Sequence, residues 1–389
     1  MNKEVYIDYA ATTYLKKEVL DEMLPYLTEH FGNPSSAHSM SREGKKAIFD
    51  SKVKVAKAIN ASREEIFFTS GGSEADNWAI KGAAFKLRDK GNHIITSKIE
   101  HHAISNTCKY LEEQGFKVTY IPVDEEGIIK LDALEKAMNS KTIIVSVMFA
   151  NNEVGSIQPI KQIGELCRKK GIIFHTDAIQ AVGQVEVDVK DMNIDLLSLS
   201  AHKFYGPKGI GVLYIRKGIN IHNLIHGGSQ ERAKRSGTEN VAGIVGLGKA
   251  IELAVDNLKD ESERLINLRD RLIKGLLKIK GSKLNGPLGN KRLPGNVNVS
   301  FKGVNGEALL IALDRKGIYA SAGSACTAGS IEPSHVLQSM GISDEMNKSS
   351  IRFSLGAKTN ECDIDYLIET IEKIVDDIRN ITLEERLIK

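Results

Sequence analysis

The stretch TIIVSVMFANNEVGSIQPIKQIGELCRKKGIIFHTDA at residues 142–178 contains two apolar, β-branched runs separated by an amphipathic segment. The runs TIIVSVMFA and IIFHTDA predict buried strands, and residues 160–170 between them have the apolar spacing of a helix. Strands joined through a helix lie parallel in one sheet, which is covered on both faces. This stretch therefore predicts an α/β fold.

The same alternation of strands and helices extends in both directions from this stretch. The other strand-like runs are IFFT (66–69), HIITSKI (93–99), KVTYIPV (117–123), LLSLS (196–200) and IGVLYI (210–215). A switch from an apolar to a charged helical pattern near residues 256–260 predicts a domain boundary. Beyond it, NVNVSF (296–301) and SIRFSL (350–355) indicate a smaller α/β domain.

Composition narrows the classes of function that the chain can have. Its 389 residues carry 53 basic and 50 acidic side chains, a net charge of +3, which argues against direct nucleic-acid binding. No apolar run approaches the roughly 20 residues of a membrane span, and the N-terminal sequence has no targeting character. The four cysteines form no CxxC pair, so we expect free thiols, no metal site and a cytoplasmic location.

The segment SGGSEADN at residues 70–77 follows a predicted strand and opens a helix. Its two glycines permit a tight turn, and the unpaired N–H groups of a helix N-terminus bind anions such as phosphate. An alternative interpretation is a helix cap, because Ser73 and Asp76 fit the S-x-x-D capping box. The two interpretations are compatible.

Asp177 stands at the end of a predicted buried strand, in FHTDAIQ. A buried carboxylate needs a cationic partner, and a protonated pyridine nitrogen would provide one. Gln180 would approach the same ring from its side. The alternative is that Asp177 caps the segment that follows.

Lys203 carries the strongest signal, in SLSAHKFYGPKG at residues 198–209. A lysine among apolar residues directly after a strand is suited to form a Schiff base and then to act as a base. Ser200 and His202 beside it offer hydrogen bonds for a phosphate. Although an exposed turn lysine is the alternative, Lys203 and Asp177 with an anion site match the needs of pyridoxal phosphate.

Three further residue types complete the candidate site. His101, in EHHAIS, follows a strand and could stack on an aromatic cofactor and transfer protons. Cys326 lies among small residues in ASAGSACTAGS (320–330), which predicts a thiol on a mobile tether, although an incidental cysteine is the alternative. Arg352 could clamp a substrate carboxylate or form a structural ion pair.

These segments, in this order, resemble the cysteine desulfurases, which are pyridoxal-phosphate enzymes of fold type I. The resemblance is carried by YIDYAATT (6–13), FGNPSSAHSMSREG (31–44), TSGGSEADN (69–77), EHHAIS (100–105), NNEVG (151–155), HTDAIQAVG (175–183), SLSAHKFYGPKGIG (198–211), GGSQERAKRSGTEN (227–240), GSACTAGSIEPSHVL (323–337) and SIRFSLG (350–356). It implies a large domain over residues 13–258 with a mostly parallel seven-stranded sheet. A small domain would combine residues 1–12 and 259–389.

The resemblance also implies a role for each candidate residue. Lys203 would hold the cofactor as a Schiff base and take the α-proton of L-cysteine, and Cys326 would receive its sulfur as a persulfide, releasing alanine. Asp177 would pair with the ring nitrogen, Gln180 with the ring hydroxyl, and His101 would stack on the ring. The residues around the phosphate would be Gly72, Ser73, Ser200, His202 and, from the partner of a homodimer, Thr238. Asn152, at the cofactor, would bind the substrate carboxylate together with Arg352.

The resemblance leaves the sulfur acceptor open between iron–sulfur scaffold proteins and tRNA-thiolation enzymes. A selenocysteine lyase is the nearest alternative, because it uses the same lysine and cofactor. A sulfur carrier without turnover is the alternative from another class. A dinucleotide-dependent dehydrogenase is disfavoured, because no G-x-G-x-x-G follows a first strand.

Overall fold

The structure is a computed structural model that describes residues 3–322 and 333–387. The strands in these residues are β1 (Val5–Tyr6), β2 (Ile66–Thr69), β3 (His93–Ser97), β4 (Lys117–Ile121), β5 (Thr142–Ser146), β6 (Ile173–Asp177), β7 (Leu196–Ser200), β8 (Gly211–Ile215), β9 (Ser282–Leu284), β10 (Asn296–Phe301), β11 (Ile318–Tyr319) and β12 (Ser350–Ser354). The helices are α1 (Lys17–Thr28), α2 (Ser41–Ala58), α3 (Gly72–Lys86), α4 (His102–Glu113), α5 (Leu131–Ala137), α6 (Ile160–Lys170), α7 (Gln230–Ala233), α8 (Val241–Asp256), α9 (Leu258–Leu276), α10 (Gly306–Arg315), α11 (His335–Ser339), α12 (Asp344–Lys348) and α13 (Glu361–Leu387).

The large sheet has seven strands in the order β2-β8-β7-β6-β5-β3-β4. Strand β8 runs antiparallel to both of its neighbours, and the other adjacent strands run parallel. The predicted α/β fold with a mostly parallel seven-stranded sheet is therefore confirmed. Because β5, β6 and β7 are parallel, their carboxyl ends meet at one edge, which is where ligands of such sheets bind.

Helices cover both faces of this sheet because its central strands are apolar on both sides. Every residue of β5, β6, β7 and β8 is buried. One apolar cluster joins one face to residues of α2, α6 and α8, and a second joins the other face to α3 and α4. The strands β5 to β8 are therefore covered on both faces.

A second unit combines the two ends of the chain. Strands β12, β10 and β9 form an antiparallel sheet, and β1 pairs with β11 in parallel. Val5 and Ile7 pack in one apolar cluster with residues of α9, α10 and α13. Helix α8 ends at Asp256 and α9 begins at Leu258. The domain limits of residues 13–258 and of residues 1–12 with 259–389 stay a prediction.

None of the helices described here combines the length and the apolar character that a membrane crossing requires.

Candidate active site

A cavity of about 390 Å³ lies at the carboxyl edge of the large sheet. Residues that follow or end β5, β6 and β7 line it, together with the first residues of α3 and Arg352 of β12. The sequence-predicted residues that line it are Gly72, Ser73, His101, Asn152, Asp177, Gln180, Ser200, His202, Lys203 and Arg352. The fold thus brings together residues that are as much as 280 positions apart, from Gly72 to Arg352.

Lys203 ends the short 3₁₀ turn Ala201–Lys203 that follows β7. Its Nζ atom donates hydrogen bonds to the carbonyl oxygens of Ala10, at 2.6 Å, and Ala11, at 2.8 Å. Gln180 Nε2 donates to the same Ala10 carbonyl at 2.9 Å. The N-terminal segment therefore fixes the amine of Lys203 and the amide of Gln180 side by side.

Asp177 ends β6 and is buried. Its Oδ1 accepts a hydrogen bond from the backbone N–H of Ile179 at 2.9 Å. Burial raises the pKa of this carboxyl, whereas the Ile179 hydrogen bond and the charge of Lys203 lower it. A buried carboxylate at a cavity wall favours a cationic partner, as a protonated ring nitrogen would be.

A second buried acid, Asp76, lies close enough to Asp177 to interact with its charge. It also lies near His175, the middle residue of β6. Asp76 Oδ1 is 3.7 Å from His175 Nε2, which is also 3.1 Å from Ser198 Oγ. Burial, followed by the charge of Asp177, raises the pKa of Asp76 well above its ordinary value, and burial lowers that of His175 to about 3. The imidazole of His175 is therefore neutral at pH 7, and the raised pKa of Asp76 favours its protonated form.

The helix cap suggested by Ser73 and Asp76 is wrong, because α3 begins at Gly72 without a side-chain cap and Asp76 is fully buried. Glu74 accepts the Ser70 N–H at 2.8 Å and pairs with Arg235. A β-carbon on Gly72 would overlap the side chain of Ile179, which would have to move to make room for it. Gly72 and Ser73, the first residues of α3, line the cavity, where a helix N-terminus would stabilise an anion.

His101 and His202 flank the cavity as neutral imidazoles. His101 Nδ1 accepts the Ala103 N–H at 3.1 Å, which places the ring proton on Nε2. Burial, then the charges of Lys203 and His102, lower the pKa of His101 to about 4. Burial and the charges of Lys203 and Lys208 lower the pKa of His202 to about 4. The two rings can accept or donate hydrogen bonds without adding charge at neutral pH.

Arg352 lies on β12 and is 2% exposed. Its Nη2 donates to Asp8 Oδ1 at 2.8 Å, and its Nη1 donates to the carbonyl oxygen of Asn152 at 3.3 Å. No described group accepts a hydrogen bond from its Nε atom. Arg352 therefore forms a structural ion pair and also lines the cavity, while its binding of a substrate carboxylate stays a prediction.

One predicted residue that the structure describes does not line the cavity. Thr238 is exposed and follows α7, where Glu231 and Arg232 have left-handed dihedral angles. Cys326 lies outside the described residues. The remaining cysteines lie in α4, α6 and α13, and Cys108 and Cys167 are buried.

Sequence reasoning missed the part of the site that comes from the N-terminal segment. Asp8 holds Arg352, and the carbonyls of Ala10 and Ala11 hold Lys203. Backbone carbonyls leave no trace in side-chain patterns. The available signal was the run YIDYAATT itself, which contains Asp8, Ala10 and Ala11.

The chemistry of these side chains fits pyridoxal phosphate. The cavity offers a primary amine at Lys203, a buried carboxylate at Asp177 and a helix N-terminus with Ser73, Ser200 and His202 for a phosphate. The described residues hold no group of three or more His, Cys, Asp or Glu side chains that could bind a metal ion. These features define a class of protein in which a lysine, an aspartate and an anion site lie at the carboxyl edge of a seven-stranded sheet.

Comparison with known proteins agrees with this class. The model of the class-V aminotransferase family matches residues 5–367. The cysteine desulfurase IscS of Clostridium botulinum strain Hall is 62% identical over 377 residues, which are 96% of this chain and 95% of that protein. The cysteine desulfurase IscS of Methanosarcina thermophila is 56% identical over 381 residues, 98% of this chain and 94% of that protein.

A solved structure shows the same likeness. A NifS-like protein superposes with a TM-score of 0.91 at 41% identity, covering 96% of this chain and 100% of that one. The chain therefore belongs to the class-V aminotransferases and, within them, to the cysteine desulfurase family.

Proposed function

We propose that this chain is a pyridoxal-phosphate-dependent cysteine desulfurase that passes the sulfur of L-cysteine to Cys326. The observation that carries the proposal is the convergence of Lys203, Asp177 and Arg352 on one cavity. These side chains supply an amine, a carboxylate for a ring cation and a guanidinium for a substrate carboxylate. The high identity to proteins named cysteine desulfurase supports the same reaction.

Pyridoxal phosphate, when bound, supplies an electron sink for the pair of electrons that the substrate's α-carbon releases. The residues around it have separate tasks. Asp177 keeps a positive charge at the ring nitrogen, while Gln180 and His101 orient the ring. Lys203 Nζ takes the α-proton and returns it, because it is the amine at the cavity.

Substrate binding falls to Arg352 and Asn152, which are joined by a hydrogen bond of 3.3 Å. In the proposed sulfur transfer, the substrate's carbon–sulfur bond breaks and its electrons remain on carbon, which takes up a proton. The sulfur bonds to Sγ of Cys326. L-Cysteine and the Cys326 thiol thus become L-alanine and a Cys326 persulfide, with no external oxidant.

The homodimer of this proposal is supported by an exposed apolar stripe on α1 and the residues after it. Helix α1 buries Val19 and Met23 within its own chain, yet its other face exposes large apolar side chains. These side chains are Leu20, Leu24, Leu27 and Phe31, at 43%, 51%, 58% and 71% exposure. Such a helical stripe is suited to bury itself against a second copy.

The segment that carries Thr238 follows α7, which is joined to α2 by an ion pair. Lys52 Nζ pairs with Glu231 at 2.7 Å in a buried contact. Because Thr238 is exposed and absent from its own cavity wall, we assign it to the phosphate site of the partner subunit. Sulfur acceptors that fit the proposal are iron–sulfur scaffold proteins or tRNA-thiolation enzymes, in the cytoplasm.

The proposal is tested by incubating the purified holoenzyme with L-cysteine and measuring alanine and sulfide in parallel. Brief exposure should add one sulfur to the peptide that contains Cys326, as detected by mass spectrometry. The Cys326→Ala variant should retain its cofactor but lose sulfur transfer. Near wild-type alanine formation by this variant would contradict the proposal, and a higher rate with selenocysteine than with cysteine would favour a selenocysteine lyase.

A further inference from the structure

Glu153 is a buried acid that the proposed reaction does not use. It is 4% exposed, and its Oε2 accepts a hydrogen bond from Ser334 Oγ, itself 3% exposed, at 2.5 Å. The two residues are 181 positions apart. A buried carboxyl and a buried hydroxyl each need a partner, so this contact is specific.

The backbone of Glu153 is held firmly on the side of the cavity. Its N–H donates to Asn151 Oδ1 at 2.8 Å, and its carbonyl accepts from Asn298 Nδ2 at 3.1 Å. The preceding carbonyl, that of Asn152, accepts from Arg352. The carbonyl oxygens of Asn152 and Glu153 are therefore both held in place, by Arg352 and Asn298 respectively.

Ser334 is held equally firmly on the other side of the contact. Asn347 accepts its N–H at 2.8 Å and donates to its carbonyl at 2.9 Å. Its Oγ accepts the Leu337 N–H at 3.2 Å and so caps α11. The hydroxyl of Ser334 thus donates one hydrogen bond to Glu153 and accepts one from Leu337.

Helix α11 docks on the two loops that carry His101 and Asn152. The His335 ring nitrogen Nε2 lies 3.0 Å from the carbonyl oxygen of Glu100, the residue before His101. An apolar cluster joins the helix to these loops through Ile99, Met148, Val154, Val336, Leu337 and Met340. Thus the polar contact of Glu153 with Ser334 stands at the end of an apolar interface.

The carboxyl of Glu153 is poised between its two protonation states. Burial raises its pKa to about 7, against the opposing effects of the Ser334 hydrogen bond and the Arg352 charge. Glutamine has the same shape and keeps an acceptor oxygen. The Glu153→Gln substitution therefore preserves the contact and removes only its charge.

We propose that Glu153 and Ser334 are positioning residues that hold α11 in register with the substrate loop of Asn152. The inference rests on the proposed function and deepens it. Ser334 follows Cys326 by eight positions, so the location of Ser334 limits how far from it the Cys326 thiol can lie. Sulfur transfer then depends on the contact, whereas cofactor binding does not, because neither residue lines the cavity.

The test compares Ser334→Ala with the matched variant Ser339→Ala in the holoenzyme. Ser339 lies on the same helix, where its hydroxyl bonds to the His335 carbonyl at 2.7 Å. For Ser334→Ala we expect at least a tenfold slower appearance of the Cys326 persulfide. The cofactor's spectral response to L-cysteine should keep its rate within about twofold, and Ser339→Ala should match the wild type.

Rescue and coupling experiments separate positioning from general stability. Ser334→Thr should restore most of the persulfide rate. The double variant Glu153→Val with Ser334→Ala should be no slower than the slower of its two single variants, because both substitutions remove the same contact. A wild-type persulfide rate in Ser334→Ala would overturn the inference, as would equal slowing of both steps with a lowered thermal midpoint. A wild-type enzyme that makes alanine without sulfur on Cys326 would instead overturn the proposed function.

Discussion

Arg352 donates a hydrogen bond to Asp8 at 2.8 Å, and this ion pair joins strand β12 to the segment that follows β1. Ser321 Oγ donates to the other oxygen of Asp8 at 2.7 Å. Both ends of the chain thus contribute to one fixed guanidinium at the cavity. A fixed guanidinium binds a carboxylate with little further loss of side-chain entropy.

We predict that Arg352→Lys raises the KM for L-cysteine by about 10- to 100-fold. A charge-assisted hydrogen bond contributes roughly 1.5–3 kcal/mol, and lysine cannot reproduce the two-pronged geometry. Steady-state kinetics of alanine formation measure the change. The matched control is Arg271→Lys, because Arg271 is a surface residue that pairs with Asp365 at 2.7 Å. An unchanged KM in Arg352→Lys would contradict the role in substrate binding.

We predict that Asp177→Asn slows alanine formation by about 100- to 1,000-fold while the protein still folds. The substitution keeps the shape and removes the negative charge at the ring nitrogen, a preorganised electrostatic contribution of about 2.7–4 kcal/mol. Alanine assays with saturating cofactor measure the rate, and absorbance after desalting measures retained cofactor. The control is Asp191→Asn, an exposed carboxylate paired with Lys161 at 2.7 Å. Equal rates in the two variants would refute the assignment.

Sequence alone could predict Lys203 and Asp177 because each lies next to the carboxyl end of a buried strand. Parallel strands bring such positions to one edge whatever the details of packing. The apolar runs of 142–178 likewise predicted β5, α6 and β6 because their periodicity is local.

The sequence could not predict the Asp8–Arg352 pair, because its partners are 344 positions apart and meet only when the small unit assembles. The helix cap at Ser73 and Asp76 failed for the same kind of reason. A capping pattern describes local geometry, but the side chain of Asp76 is buried next to His175. Burial in the tertiary structure overrode the local preference.

We predict that each buried acid with a raised pKa, such as Glu100, lowers the free energy of unfolding by about 2 kcal/mol as the pH rises from 6.5 to 8. Burial raises the pKa of Glu100 to about 8, although hydrogen bonds from Ser97 and Met148 lower it and Asp177 raises it further. The folded state therefore keeps a proton that the unfolded chain releases, and stability falls by about 1.4 kcal/mol per pH unit. The buried histidines, with lowered pKa values, act only below this window.

Glu100→Gln should remove the contribution of Glu100 to this slope, because glutamine cannot ionise yet still accepts the Ser97 and Met148 hydrogen bonds. Denaturation midpoints of the two proteins across the window provide the measurement. Glu361→Gln is the control, since Glu361 is an exposed carboxylate paired with Arg271. Parallel pH profiles for the wild type and Glu100→Gln would show that Glu100 titrates normally.

We predict that subunits carrying Lys203→Ala and subunits carrying Thr238→Ala complement each other when mixed. If Thr238 serves the partner's phosphate site, a mixed dimer collects both defects in one site and leaves the other intact. Random re-association of equal amounts makes half of the dimers mixed, so activity should recover to roughly a quarter of the wild-type value. Mixing Lys203→Ala with Asp177→Asn is the control, because both residues line the cavity of one chain and no intact site can form. Absence of recovery with Thr238→Ala would place Thr238 in its own subunit's site or outside any site. Recovery in the control would show that mixing restores activity without a shared site.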